Sequence, residues 1–194
     1  KDPLATGLLI ICTGRMTKKI DTFQAQEKVY TGTMLLGQTT PTFDMESEAD
    51  ASYPTDGISV EMMEEARKTF IGDIMQRPPK FSAIKINGKR AFDYARSDEE
   101  IALKERLVHI GDFKLDYTNF PKVDFEVKCS KGTYIRSLVN DFGKKLNNGA
   151  CLISLRRTKI GDFSVDDARK LEDLKKEIIE SGINVVLDWG FWTK

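Results

Sequence analysis

The sequence predicts an α+β fold, and two stretches carry that prediction. Residues 122–129 alternate Val123, Phe125, Val127 and Cys129 with Lys122, Asp124, Glu126 and Lys128, the period of a strand with one packed and one wet face. Residues 134–147 place Ile135, Leu138, Val139, Phe142 and Leu146 on one helical stripe, closed by Asn147-Asn148-Gly149. The strand leads directly into the helix, and neither a repeat nor a linker divides the chain.

The remaining elements follow in chain order. LLIIC (8–12) is apolar throughout and too short for a helix alone, which predicts a buried segment of undefined type. GRMTKKIDTFQAQ (14–26) predicts a helix with Ile20 and Phe23 on one side. KVYTGTMLL (28–36) mixes Val, Tyr and Thr with partial alternation and predicts a strand ending at Gly37. Residues 38–58 are polar and acidic, hold two prolines and lack either period, so they predict a partly mobile loop. Ser59 predicts an N-cap for a helix that buries Val60, Met63 and Phe70. Leu171, Leu174 and Ile178 predict a last helix over 166–181.

Composition narrows the function. Thirty basic and 30 acidic side chains cancel in the total, but not locally. Positions 41–66 hold eight acids and no Lys or Arg, whereas 76–90 hold five cations and no acid, so a neutral total conceals a basic face. Cys12, Cys129 and Cys151 are odd in number and widely spaced, which fits a reducing compartment better than a disulfide framework. The single histidine, His109, lies between Val108 and Ile110 and reads as a strand residue, so a metal site of His and Cys is not expected. No apolar run reaches membrane-spanning length.

Three stretches combine reactive side chains with constrained backbone. In Asp2-Pro3-Leu4-Ala5-Thr6-Gly7 the proline stiffens the backbone beneath Asp2 and Gly7 permits an unusual φ; a structural turn and a catalytic one both fit. Cys129-Ser130-Lys131-Gly132-Thr133-Tyr134-Ile135-Arg136 lies at the strand–helix junction. There Arg136 sits at the wrong end for the helix dipole and needs another reason, an ion pair or an RNA phosphate. QRPPKFSAIKINGKRAFDYAR (76–96) interleaves cations with Phe81, Phe92 and Tyr94 around an Asn-Gly turn, a composition suited to phosphates and unstacked bases. Leu155-Arg156-Arg157-Thr158 adds a smaller basic element.

In this order, DPLATGLL, KVYTG, PPKFSAIKINGKRAFDYAR, CSKGTYIRSL and ISLRRT resemble the motifs of the bacterial tRNA pseudouridine-55 synthase family, over nearly the whole chain. The resemblance implies a pseudouridine synthase-like catalytic domain with a mixed, largely antiparallel sheet and flanking helices. It implies Asp2 as the catalytic carboxylate, Tyr30 stacked on the target base, Arg136 paired with Asp2, Tyr134 and Leu155 lining the uracil pocket, and Lys85 meeting the RNA. The implied reaction isomerises uridine to pseudouridine in the TΨC loop of tRNA, with no metal, redox cofactor or nucleotide. A monomeric cytoplasmic enzyme is expected. A non-catalytic RNA-binding or tRNA-folding module that keeps the cleft is the alternative, and a glycosidase carboxylate pair drawn from 44–50 a more distant one. The family pattern places Gly, Thr and Leu before the aspartate, where Lys1 stands here. Residues 1–194 are therefore expected to form a single catalytic domain without the N-terminal part of the family domain or a full C-terminal RNA-binding domain.

Overall fold

A computed structural model describes residues 4–82, 85–86, 89–91 and 103–180. The chain begins with β1 (Ala5–Gly7), then a 3-10 turn (Gly14–Lys19) running into α1 (Ile20–Ala25). Next come β2 (Lys28–Leu36), the short β3 (Gln38–Thr39) and β4 (Ala51–Ser52), α2 (Val60–Lys68) and β5 (Gly72–Gln76). The small strands β6 (Lys85–Ile86) and β7 (Lys89–Arg90) precede β8 (Arg106–Asp116), β9 (Lys122–Cys129) and α3 (Ile135–Lys145). The described chain finishes with β10 (Ala150–Ile160), β11 (Phe163–Ser164) and α4 (Leu171–Glu180).

One sheet runs in the order β1-β10-β2-β9-β8-β5, with β11 paired to β10. Its β1–β10 pairing is parallel and the others are antiparallel, so the α+β, largely antiparallel expectation holds. The 122–129 strand and the helical stripe of Ile135, Leu138, Val139, Phe142 and Leu146 form as the periodicities require, and every one of those helical residues is buried. Phe142 fills the centre, its ring edge-on to Phe113 at 5.9 Å and tilted against Phe70 at 6.1 Å.

Strands β8 and β10 escape a period-two reading because β8 carries one extra residue and β10 two. Ile110 and Asp112 face the consecutive Cys129 and Lys128, so the buried side switches from Val108 and Ile110 to Phe113. β10 shifts register twice against β2, between Leu152 and Ser154 and between Arg157 and Lys159. His109 is a strand residue, as its neighbours suggest, and its Nδ1 lies 2.6 Å from Asp73 Oδ1 on β5. The 14–26 helix forms as a 3-10 turn followed by α1.

Other expectations are corrected. Of LLIIC only Leu8 is buried; Leu9 and Ile11 are 66% and 61% exposed, because the chain leaves the sheet after Leu8. Ser59 caps α2 through a bond from Met62 N, but Val60 is exposed and Met63 and Ala66 face the core. The last helix starts at Leu171, which is itself exposed. A hydrogen bond from Asp166 N to Ser164 Oγ holds a turn where the helix was expected to begin. The acidic stretch contains β3 and β4, paired to each other, and docks on the sheet.

Burial also accounts for Cys129, whose thiol is pushed up to about 11 and stays protonated near neutral pH. Because Phe142 is wholly buried among aromatic rings, Phe142→Ala should cost about 3–5 kcal/mol in urea unfolding. A loss below about 1 kcal/mol would show that this ring is not central to the core.

Candidate active site

The site is assembled along one edge of β10. β1 lies parallel to it, with Ala5 opposite Leu155 and Gly7 opposite Arg157. Leu8 N donates to Arg157 O at 2.8 Å, and Arg157 Nε and Nη2 both donate to Leu8 O, at 2.8 and 2.7 Å. Gly7 adopts φ +98°, and a Cβ there would come within 2.2 Å of Arg157 O, so only glycine lets the strand close this tightly. The DPLATG segment is thus pinned at its C-terminal end by backbone and guanidinium together.

Further along the same edge, Leu152 N donates to Phe43 O at 3.0 Å and Met45 N to Leu152 O at 3.1 Å. These two bonds bracket Asp44, which is completely buried. Asp44 Oδ1 accepts from Thr42 Oγ1 at 2.6 Å and Glu46 N at 3.1 Å. Its Oδ2 lies 3.1 Å from Arg136 Nη1, an ion-pair contact.

Arg136 is only 8% exposed and so is held inside the protein rather than in solvent. Its Nη1 donates to Thr42 O at 3.1 Å and its Nη2 to Phe81 O at 3.0 Å. The acidic loop, the start of the basic segment and α3 therefore meet at one guanidinium. A buried charge of this kind persists only when paired and hydrogen-bonded.

Tyr30, Tyr134, Arg136 and Leu155 line one cleft of about 650 Å³ together with Ala5, Thr6, Gly7 and Leu8. They come from β2, the start of α3 and β10, and register explains their meeting: Tyr30 stands opposite Arg157, which lines the same cleft. A second concavity of about 630 Å³ is lined by Thr31, Thr33, Asp124, Glu126 and Ser154, and it contains neither tyrosine nor Arg136. Lys85 lies on β6, and Asp2 lies outside the described residues. Sequence reasoning missed Asp44 and the pinning role of Arg157. The available signal for Asp44 was its apolar flanks, Phe43 and Met45, within an otherwise polar acidic run.

Residues 2–135 match the profile of the TruB family pseudouridylate synthase N-terminal domain. The chain belongs to the TruB family. Residues 136–187 match the tRNA pseudouridylate synthase B C-terminal domain. The boundary between the two profiles falls inside α3, while β10 from the second pairs with β1 and β2 from the first.

Among TruB relatives, the tRNA pseudouridine synthase B of Parabacteroides distasonis is 51% identical over 173 residues, covering 89% of this chain and 74% of the relative. That of Flavobacterium johnsoniae is 52% identical over 167 residues, covering 86% and 73%. A crystal structure of a Cbf5-Nop10-Gar1 complex contains a chain that superposes with a TM-score of 0.68 at 25% identity, covering 94% of this chain and 46% of that one. That chain therefore shares this fold.

Because Asp44 is the buried counter-charge of Arg136, Asp44→Ala should destabilise the protein by about 3–5 kcal/mol in urea unfolding. An unchanged midpoint would mean that the acidic loop is not held by this pair.

Proposed function

We propose that this chain isomerises uridine to pseudouridine in the TΨC loop of tRNA, at position 55, using the Asp2 carboxylate. The observation that carries the reading is the convergence of Tyr30, Tyr134, Arg136 and Leu155 with the strand that follows Asp2 on one cleft. The direction of β1 supports it further. β1 runs parallel to β10, so its N-terminal end points toward Leu152, beside Asp44 and Arg136.

The reaction breaks the C1′–N1 glycosidic bond of uridine, turns the uracil and forms a C1′–C5 bond in its place; the C5 proton leaves with the help of Tyr30, and N1 takes up a proton. Asp2 attacks either C1′ of the ribose or C6 of the base, or stabilises the detached fragment. Arg136 keeps that carboxylate ionised through a charge-assisted contact in a water-poor cleft. The target base must first leave its stack, at a cost of a few kcal/mol. Tyr30 under the base recovers ~1–3 kcal/mol of that by stacking. Tyr134 and Leu155 close the pocket around the ring, and Lys85 and its basic neighbours meet the RNA backbone.

The main sheet crosses the boundary between the two family profiles, which supports reading residues 1–194 as a single catalytic domain. Among the described residues no helix is long and apolar enough to cross a membrane. We read the protein as a monomeric cytoplasmic enzyme whose chemistry requires a carboxylate, an arginine and an aromatic ring.

With an unmodified tRNA transcript, the wild-type protein should form pseudouridine at the TΨC-loop uridine, mapped by carbodiimide treatment and primer extension. Asp2→Asn should abolish the product while tRNA affinity stays within about threefold; continued turnover would remove Asp2 from the mechanism. Tyr30→Leu should lower the single-turnover rate by about 10²-fold or more through lost stacking and positioning, and a wild-type rate would move the base elsewhere in the cleft.

A further inference from the structure

The side chain of Gln76 acts on Tyr134 as a neighbouring strand would. Its Oε1 accepts from Tyr134 N at 2.8 Å and its Nε2 donates to Tyr134 O at 3.1 Å, so one amide satisfies both backbone groups of that residue. Gln76 is 2% exposed and ends β5, the strand at the opposite end of the sheet from β1. Tyr134 immediately precedes α3, and its own side chain makes no capping hydrogen bond. The orientation of this helix start is thus set from outside the helix.

Two more contacts tie the following residues to the same helical turn. Ser137 Oγ donates to Arg77 O at 2.8 Å, and Arg136 Nη2 donates to Phe81 O at 3.0 Å. Pro78 and Pro79, both buried, stiffen the run between them. Beyond Phe81 the chain continues to the antiparallel pair β6–β7, which carries Lys85, Lys89 and Arg90. The segment 76–81, which leads toward the basic hairpin, and the wall of the uracil pocket are therefore joined by hydrogen bonds.

We propose that Gln76 is a positioning residue for the isomerisation, clamping Tyr134 and Arg136 at the angle the reaction needs and linking them to the RNA-facing hairpin. The proposal rests on the isomerase reading above. A misplacement near 1 Å at this wall would slow the chemical step far more than it would weaken RNA binding.

The test compares wild type, Gln76→Leu and Gln76→Glu for single-turnover pseudouridine formation, tRNA affinity and thermal midpoint. Leucine supplies neither hydrogen bond, and the expected result is a rate at least about tenfold lower with affinity within about threefold. Glutamate keeps the acceptor but donates only when protonated, and burial favours that neutral form. The ratio of the Gln76→Glu rate to the wild-type rate should therefore rise as pH falls from about 8 to about 6. A purely structural role would lower the thermal midpoint and leave that ratio flat.

A folded Gln76→Leu with a wild-type rate, or a flat ratio for Gln76→Glu, overturns the proposal. If the leucine variant does not fold, the glutamate ratio decides. Wild type without product would instead remove the isomerase reading. Hydrogen exchange at the Tyr134 amide, slow in wild type and fast in the leucine variant, would then still establish the clamp, and equal exchange would dismiss it.

Discussion

A buried guanidinium organises this protein. Arg136 lies on the first turn of α3 where the helix dipole opposes it, and it is nearly removed from water. An arginine does not shed its proton in proteins, so the surroundings must supply the counter-charge and the acceptors. Asp44 provides the first, and Thr42 O and Phe81 O provide acceptors. Two stretches that look independent in the chain, one acidic and one basic, must therefore close over the same helix. The cost of stranding either charge is several kcal/mol, a large part of the stability of a domain this size. The loop conformations follow from that constraint.

β10 is the second organising element. It pairs with β2 along one edge, while β1 and the Asp44 segment lie along the other. Its two register shifts let one strand serve partners whose own spacing differs. The residues preceding the cleft and the loop holding the counter-charge are consequently neighbours on the same strip of backbone. The closeness of Gly7 to Arg157 makes this arrangement rigid as well as adjacent.

Much of the cleft was legible because its residues sit on contiguous motifs that resemble those of a known family. Tyr30, Tyr134, Arg136 and Leu155 could be named from the sequence, and all four line the cleft. Asp44 could not be singled out. It is one of eight acids in a cation-free run, and its inward orientation comes from two backbone bonds to Leu152. Gln76 was equally hidden, since an amide that pairs with a distant backbone leaves no periodic trace. LLIIC misled in the opposite direction: apolar composition records what burial would favour, but whether the chain stays on the sheet after Leu8 depends on its partners.

By itself the sequence determined the α+β class, the 122–129 strand, the helix that follows it and the residue types of the cleft. Those features depend on backbone periods of two and 3.6 residues or on contiguous motifs, which are local properties. Only the tertiary structure decided that Asp44 faces Arg136, that β10 carries two shifts of register, and that Gln76 holds Tyr134. Each joins segments far apart in the chain. Their free energy comes from desolvating charges and satisfying buried backbone groups, which has no value until the segments meet.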